Sequence, residues 1–365
     1  MDQIENSPRL DHSLILLMPT KHMGNLLVAL RTIETLVLAN RGRTWVVVDE
    51  SYRDIIESAP SIEHPIYYPR ARLRKAGLRE KTGLLLRFYR QLRTTQAELL
   101  LNFDAQQIST TLALLAGVKQ RWGLSDTPRH SAYQKIVDQH PRAPHRFYHY
   151  HQFAQVLVGD TSAAAYPILQ AQTQHQASLR QLLDTLKVDG NRPFACIHAG
   201  ATKAYKQWPP EYFAGIADWL SERDVQVIFI GAGDSDKAII EQVISQSQSR
   251  SRPVSLCNRL SLGELIALFK QCCLFLGNDS GPMHLAAASQ APVFALFGPT
   301  DTRRWGPLGA NATLIRNPIA CAETCSKKFC PENFRCIKTL PAQQVRAVLT
   351  RHLTDPRPSS VSIQA

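Results

Sequence analysis

Residues 274–299, LFLGNDSGPMHLAAASQAPVFALFGP, leave few choices of fold. A short apolar run, Leu274 to Leu276, meets a turn of Gly, Asn, Asp and Ser. A small-residue segment of helical character, Met283 to Ser289, follows, and then a second apolar run, Val293 to Phe297. Apolar runs of that length bounded by turn residues read as buried strands, so the order is strand, turn, helix, strand. The turn Asn278, Asp279, Ser280, Gly281 then lies where a strand ends and a helix begins, and there unpaired N–H groups and the helix dipole favour an anion. A phosphate suits it. Gly281 permits close approach of backbone, Pro282 fits the first helical turn, and Ser280 and His284 can add side-chain donors. The plainer alternative is a capped helix in which Asp279 or Ser280 satisfies backbone and His284 packs.

The 365 residues are 44% hydrophobic, which is ample for two packed domains. Lys and Arg number 42 against 30 Asp and Glu, a formal net charge of +12 that points to anionic partners: nucleic acid, a phosphorylated glycolipid or acidic lipid headgroups. The opening residues, MDQIENSPRLDHS, hold no basic segment followed by an apolar core, so no signal peptide is expected. No apolar run approaches the roughly 18 to 20 residues of a membrane span. The expectation is a soluble, cytoplasmic chain whose eight cysteines are mostly reduced.

Ser13 to Pro19 reads as a strand that runs through Thr20, Lys21, His22, Met23 and Gly24 into a helical pattern, Leu26 to Ala39, with Trp45 to Asp49 as the next strand. This βαβ unit puts the Gly24 turn at strand carboxyl ends, where open α/β sheets bind ligands. Glu98 to Phe103 is a further strand leading to Asp104, which either faces that cleft or caps a helix. An Ala- and Gln-rich, mostly helical segment, 163–190, precedes a break at Asp189 to Pro193, and a second α/β unit begins at Phe194 to His198. Thr202, Lys203 and Lys206 follow it. Val225 to Ile230 then leads into Gly231, Gly233, Asp234 and Asp236, a turn that lacks the third glycine of a dinucleotide fingerprint and whose D-x-D triplet is isolated.

Residues 69–93 are the densest basic run, with Arg70, Arg72, Arg74, Lys75, Arg79 and Lys81 ahead of an amphipathic helix bearing Arg87, Arg90 and Arg93. It is either a solvated helix face or a surface for anions. Regularly interleaved aromatics and a nucleic-acid fold signature are missing, so nucleic acid is not the expected partner. His140, His145, His149 and His151 lack a ligand pattern and are expected on a polar acceptor face or a surface loop. Cys321, Cys325, Cys330 and Cys336 contain no C-x-x-C pair; no metal is expected at either cluster, and the cysteines are read mainly as reduced packing.

GNDSGPMHLAAASQAPVFALFGPTD resembles the signature of glycosyltransferase family nine, the ADP-heptose:lipopolysaccharide heptosyltransferases: D-[ST]-G-x-x-H-x-A-A-A, then a strand and F-G-x-T. Asp279, Ser280, Gly281, His284, Ala286 to Ala288, Phe297, Gly298 and Thr300 carry it. AYKQWPPEYF resembles the family's K-x-W-P element through Lys206, Trp208 and Pro209, and Asp104-Ala105-Gln106 resembles its D-L-Q turn. The resemblance implies GT-B architecture, an α/β fold of two doubly wound Rossmann-like domains facing a central cleft. Residues 1–185 would bind acceptor and 190–340 nucleotide-sugar, with helix 341–353 able to pack back on the first domain and a disordered tail at 354–365. It implies an inverting, metal-independent enzyme without a cofactor that moves heptose from ADP-heptose to the lipopolysaccharide inner core, peripheral to the cytoplasmic face of the inner membrane. By the same resemblance the donor meets Thr202, Lys203, Lys206, Asp234, Leu260, Asp279, Ser280, Gly281 and His284. Lys21, Arg70, Arg72, Arg74 and Lys75 are the acceptor-side expectation.

One departure matters. The family's first turn commonly ends L-G-D, whose aspartate is taken to be the catalytic base, and this chain has Met23, Gly24 and Asn25. An amide cannot take up a proton. Either Asn25 positions the acceptor while His22 or Asp104 is the base, or the chain is an altered transferase, for example one using another nucleotide-sugar in outer-core or capsule assembly, or it is a non-catalytic lipopolysaccharide-binding paralogue.

Overall fold

Runs of Leu, Ile and Val with no polar interruption become the central strands of two wholly parallel sheets. The computed structural model describes residues 10–138, 144–249, 251–319, 321 and 330–354, and the chain divides into two units, Met1–Pro167 and Ile168–Ala365. The first holds β1 (Leu14–Met18), β2 (Thr44–Asp49), β3 (Pro65–Tyr68), β4 (Leu99–Asn102), β5 (Gln120–Leu124) and β6 (Lys135–Val137). They lie in the order β3-β2-β1-β4-β5-β6. The second holds β7 (Phe194–His198), β8 (Gln226–Phe229), β9 (Val254–Ser255), β10 (Leu274–Asn278), β11 (Val293–Phe297) and β12 (Ala312–Arg316), in the order β12-β11-β10-β7-β8-β9.

Strands flanked on both faces by helices must be apolar on both faces. Accordingly every residue of β1, β7, β10 and β11 is buried. In each unit the first strand lies at the middle of the sheet: Leu14 pairs with Thr44 on one side and Leu99 on the other, and Leu274 of β10 pairs with Ala195 of β7. The winding therefore reverses between β1 and β4 and again between β7 and β10. A doubly wound sheet binds ligands beyond the carboxyl ends of its strands at that reversal. The expected α/β, doubly wound fold is present in both units.

Three expectations change. The division falls at Pro167, ahead of the expected residue 185, because the helix Thr173–Thr185 packs on the helix Leu262–Phe269 of the second unit. The Ser178 hydroxyl donates a hydrogen bond to the Glu264 carboxylate there. A side chain at Gly263 would set its Cβ 2.3 Å from the His175 ring, so glycine is what lets the two helices approach. Residues 163–172, expected to be mostly helical, are irregular; Pro167 can donate no backbone hydrogen bond. Finally, the helix Ala342–Thr354 contributes to the core of the second unit. Val345 and Leu349 enter its core beside Trp208 and Phe213, and Arg346 donates to the Gly215 carbonyl at 2.8 Å. Of the expected tail, 354–365, Thr354 ends this helix and 355–365 lie outside the described residues.

Candidate active site

At the reversal of the second sheet, one buried amide ties three segments together. Asn278 ends β10 with 0% exposure; its Nδ2 donates to the carbonyls of Ala199 (2.9 Å) and Gly200 (3.2 Å), and its Oδ1 accepts the Trp208 N–H at 3.1 Å. Trp208 is anchored in turn, its indole N–H donating to the Leu340 carbonyl at 2.9 Å and its ring meeting Phe213 edge to face at 4.9 Å. The single turn Ala204–Lys206 just before it is thereby set beside the end of β10. Lys206 Nζ lies 2.7 Å from Asp279 Oδ2, the lysine 21% and the aspartate 5% exposed. An ammonium held this way is fixed at the start of the helix Gly281–Ala288.

Ser280 occupies the N-cap of that helix, yet its side chain does not cap it. Its Oγ lies 3.1 Å from His198 Nδ1, and His198 Nε2 lies 3.2 Å from Asp236 Oδ2. Burial pushes the Asp236 carboxyl up, but the His198 hydrogen bond and charge and the Ala232 N–H together hold it below the usual carboxylate range. An ionised Asp236 places a proton on Nε2, so in the neutral ring Nδ1 accepts the Ser280 hydroxyl. The leading N–H groups of the helix are thus not taken by a side-chain cap and can meet an anion. A Cβ at Gly200 would lie 2.0 Å from Asp236 Oδ1, so the strand-end backbone passes close to this carboxylate. Thr202, Lys203 and Asp234 are exposed around the same edge, His284 is buried, and Leu260 precedes the Ser261–Glu264 capping box of the helix Leu262–Phe269.

The first sheet has its own cluster at its reversal. Thr20 is buried after β1, Lys21 and His22 are exposed, and Asn25 is half-buried in the first turn of the helix Met23–Ala39. Although His22 as a whole is exposed, partial desolvation of its ring, then the charges of Lys21 and Arg70, lower its pKa, so the imidazole is neutral near pH 7 and can accept a proton. After β4, Asp104 is buried and its pKa raised by that burial, against the Gln106 amide and the Arg70 charge. Gln106 Nε2 lies 3.2 and 3.0 Å from the two Asp104 oxygens and 3.4 Å from Thr20 Oγ1, linking the ends of β1 and β4. Arg70 binds Asp49 Oδ2 at 2.5 Å and donates to the Pro19 carbonyl, so it braces the ends of β1 and β2. Arg72, Arg74 and Lys75 are exposed, Arg72 lying 3.5 Å from Glu50.

The described histidines of the histidine-rich stretch are buried rather than in a surface loop. His149 and His151 are buried on the helix Arg146–Val158, which packs on Met23–Ala39. His149 Nε2 meets Asp126 at 2.8 Å, Arg146 meets the same carboxylate at 2.5 Å, and His151 Nδ1 lies 3.3 Å from Thr32 Oγ1. His140 and Cys325 lie outside the described residues, and among those described no group of three or more His, Cys, Asp or Glu is disposed to hold a metal. Sequence reasoning missed Asn278, His198 and Asp236 as a positioning set. The available signal was a polar residue closing each of two otherwise apolar strands.

Comparison with known proteins bears on most of the chain. Residues 85–334 match the family described as glycosyltransferase family 9 (heptosyltransferase). Lipooligosaccharide heptosyltransferase 2 of a Campylobacter jejuni subsp. jejuni strain is 34% identical over 143 residues, 38% of this chain and 44% of that protein, so the match spans under half of the relative. Among solved structures, a glycosyl transferase family 9 protein from Veillonella parvula superposes with a TM-score of 0.80 at 22% identity, covering 96% of this chain and 100% of the other. ADP-heptose lps heptosyltransferase II of E. coli gives 0.75 at 19%, covering 93% and 98%. At those identities the structural likeness carries the fold.

Proposed function

The chain belongs to glycosyltransferase family 9, and from that premise we propose that it is an inverting transferase that moves heptose from ADP-heptose to the lipopolysaccharide inner core. The observation that carries the reading is the Lys206–Asp279 pair fixed at the uncapped start of the helix Gly281–Ala288. A leaving diphosphate gains charge as the sugar–oxygen bond breaks, and pre-set donors at that point lower the barrier. Lys206, the helix N–H groups and Lys203 supply positive potential there, which supports a reaction without metal or cofactor. Thr202, Ser280 and His284 border the diphosphate in this reading, Asp234 the ribose and the backbone at Leu260 the adenine.

On the acceptor side, a hydroxyl attacks the anomeric carbon, the diphosphate leaves from the opposite face, and the hydroxyl proton passes to His22 Nδ1 or Nε2. Its lowered pKa keeps a lone pair available. Asn25 orients the hydroxyl, and the buried Asp104 stands as the alternative base. Lys21, Arg72, Arg74 and Lys75 meet acidic groups of the core, while Arg70 holds the strand ends that present them. The enzyme would act at an anionic cytoplasmic membrane surface, with no nucleic acid involved. No helix among the described residues is long and apolar enough to cross that membrane.

Titration calorimetry with ADP-heptose, UDP-sugars and GDP-sugars tests the donor: binding of the latter two without the first sinks the heptosyl reading. Asn25 itself keeps two rivals open, an altered transferase and a binding paralogue. Single-turnover transfer by wild type, Asn25→Asp and His22→Ala decides it, since no turnover in any form leaves only binding.

A further inference from the structure

The helix Leu78–Thr94 has one broad apolar arc, of which only part is buried. Leu84, Phe88 and Leu92 recur every four residues and are buried, with Phe88 against Tyr68 edge to face at 5.3 Å. Leu78, Leu85, Leu86 and Tyr89 continue that arc past Leu92 and are 84%, 45%, 48% and 37% exposed, four of the nine large hydrophobic side chains exposed among the described residues. With about 3.6 residues per turn, Leu78, Leu85 and Tyr89 form one stripe with Leu86 at its margin. Arg93, Arg79 and Arg90 follow round the side away from the buried Leu84, Phe88 and Leu92.

The helix has five basic residues and a single acid, Glu80, and none of the five is in an ion pair among the described residues. The preceding short helix Arg70–Lys75 adds the exposed Arg72, Arg74 and Lys75. An apolar stripe bordered by unpaired cations fits the boundary between acyl chains and acidic headgroups. We infer that this helix docks the protein on an anionic lipid surface, with Leu78, Leu85, Leu86 and Tyr89 in the interface and the arginines on lipid phosphates. A second copy of the chain is a poorer occupant, because a two-fold contact sets the same basic patch against itself. The helix starts beyond the carboxyl end of β3, on the side of the sheet edge that also carries His22 and Asp104, so its exposed first residue Leu78 lies toward that edge. The inference deepens the proposed function, since the acceptor is lipid-borne.

The test is flotation of the full chain with phosphatidylcholine vesicles, with and without phosphatidylglycerol. Binding is expected only with phosphatidylglycerol and should fall about fivefold for each of Arg79→Gln and Arg90→Gln. Leu85→Ser with Leu86→Ser should reduce it about tenfold or more. The leucine variant should keep wild-type transfer to a water-soluble core oligosaccharide and lose transfer to the same acceptor on vesicles. Wild type that ignores phosphatidylglycerol overturns the inference, as does a leucine variant that binds like wild type. A dimer in sedimentation that the leucine variant abolishes, without vesicle binding, assigns the stripe to a second copy instead. Vesicle binding as expected, with no transfer to either acceptor, leaves docking standing and removes the proposed reaction.

Discussion

Replacing Lys206 by alanine leaves the Asp279 carboxylate, 5% exposed, without its cation. Breaking a fully buried pair in that way costs about 3–5 kcal/mol. Lys206 is itself a fifth exposed, so solvent screens the loss and about 2 kcal/mol of unfolding free energy is the expected cost. The effect on chemistry is separate. A donor aimed at developing charge contributes about 10²- to 10³-fold to kcat, and Lys206→Ala should lose that much in single-turnover transfer at saturating ADP-heptose. Adding Asp279→Asn removes the stranded charge, so the double variant should regain most of its urea resistance while remaining slow. If turnover returns with stability, Lys206 only neutralises Asp279 and the account of diphosphate departure is wrong. A single variant with weakened ADP binding but an unchanged saturated rate would refute it equally.

Three further outcomes follow from other parts of the fold. In His198→Ala the Ser280 hydroxyl loses its ring partner and should swing to cap its own helix, competing with the diphosphate and weakening ADP binding about fivefold; adding Ser280→Ala should restore part of it, whereas further weakening would make His198 a packing residue only. Burial pushes the Asp126 carboxyl up, but the His149 hydrogen bond and Arg146 outweigh it and bring the pKa down from 3.8 to about 2. A depressed folded pKa contributes stability that is full above the unfolded value and lost as pH falls through the folded one, so Asp126→Asn should cost about 1–2 kcal/mol at pH 7, allowing for partial exposure, and only a small fraction of that at pH 2 by urea unfolding. Asn278→Ala strands the Trp208 N–H and the carbonyls of Ala199 and Gly200, and should lower stability by about 2–3 kcal/mol and ADP affinity with it; calorimetry showing stability lost but affinity intact would uncouple Asn278 from the Lys206 turn.

Strand and helix identity was legible because it rests on local pattern. Phe194–His198 and Val293–Phe297 are continuous apolar runs, and each is a strand with the bounds read from sequence. Short edge strands such as Val254–Ser255 were not legible, since two residues carry no periodicity. The helix Ala342–Thr354 was recognised as amphipathic, but a stripe of Val345 and Leu349 does not state which core it enters.

The sequence alone determined that two α/β units each end a strand in a polar turn, and that one of those turns opens a glycine-proline helix suited to an anion. That is a consequence of residue order over a few positions. Which side chains aim at the turn was decided only in three dimensions. His198 reaches Ser280 across 82 residues and Asp236 across 38, and Asn278 joins Ala199 across 79 and Trp208 across 70. Such bonds exist because parallel pairing sets β7 beside β10, and neighbours in a sheet are chosen by the winding of the whole unit rather than by any stretch of chain.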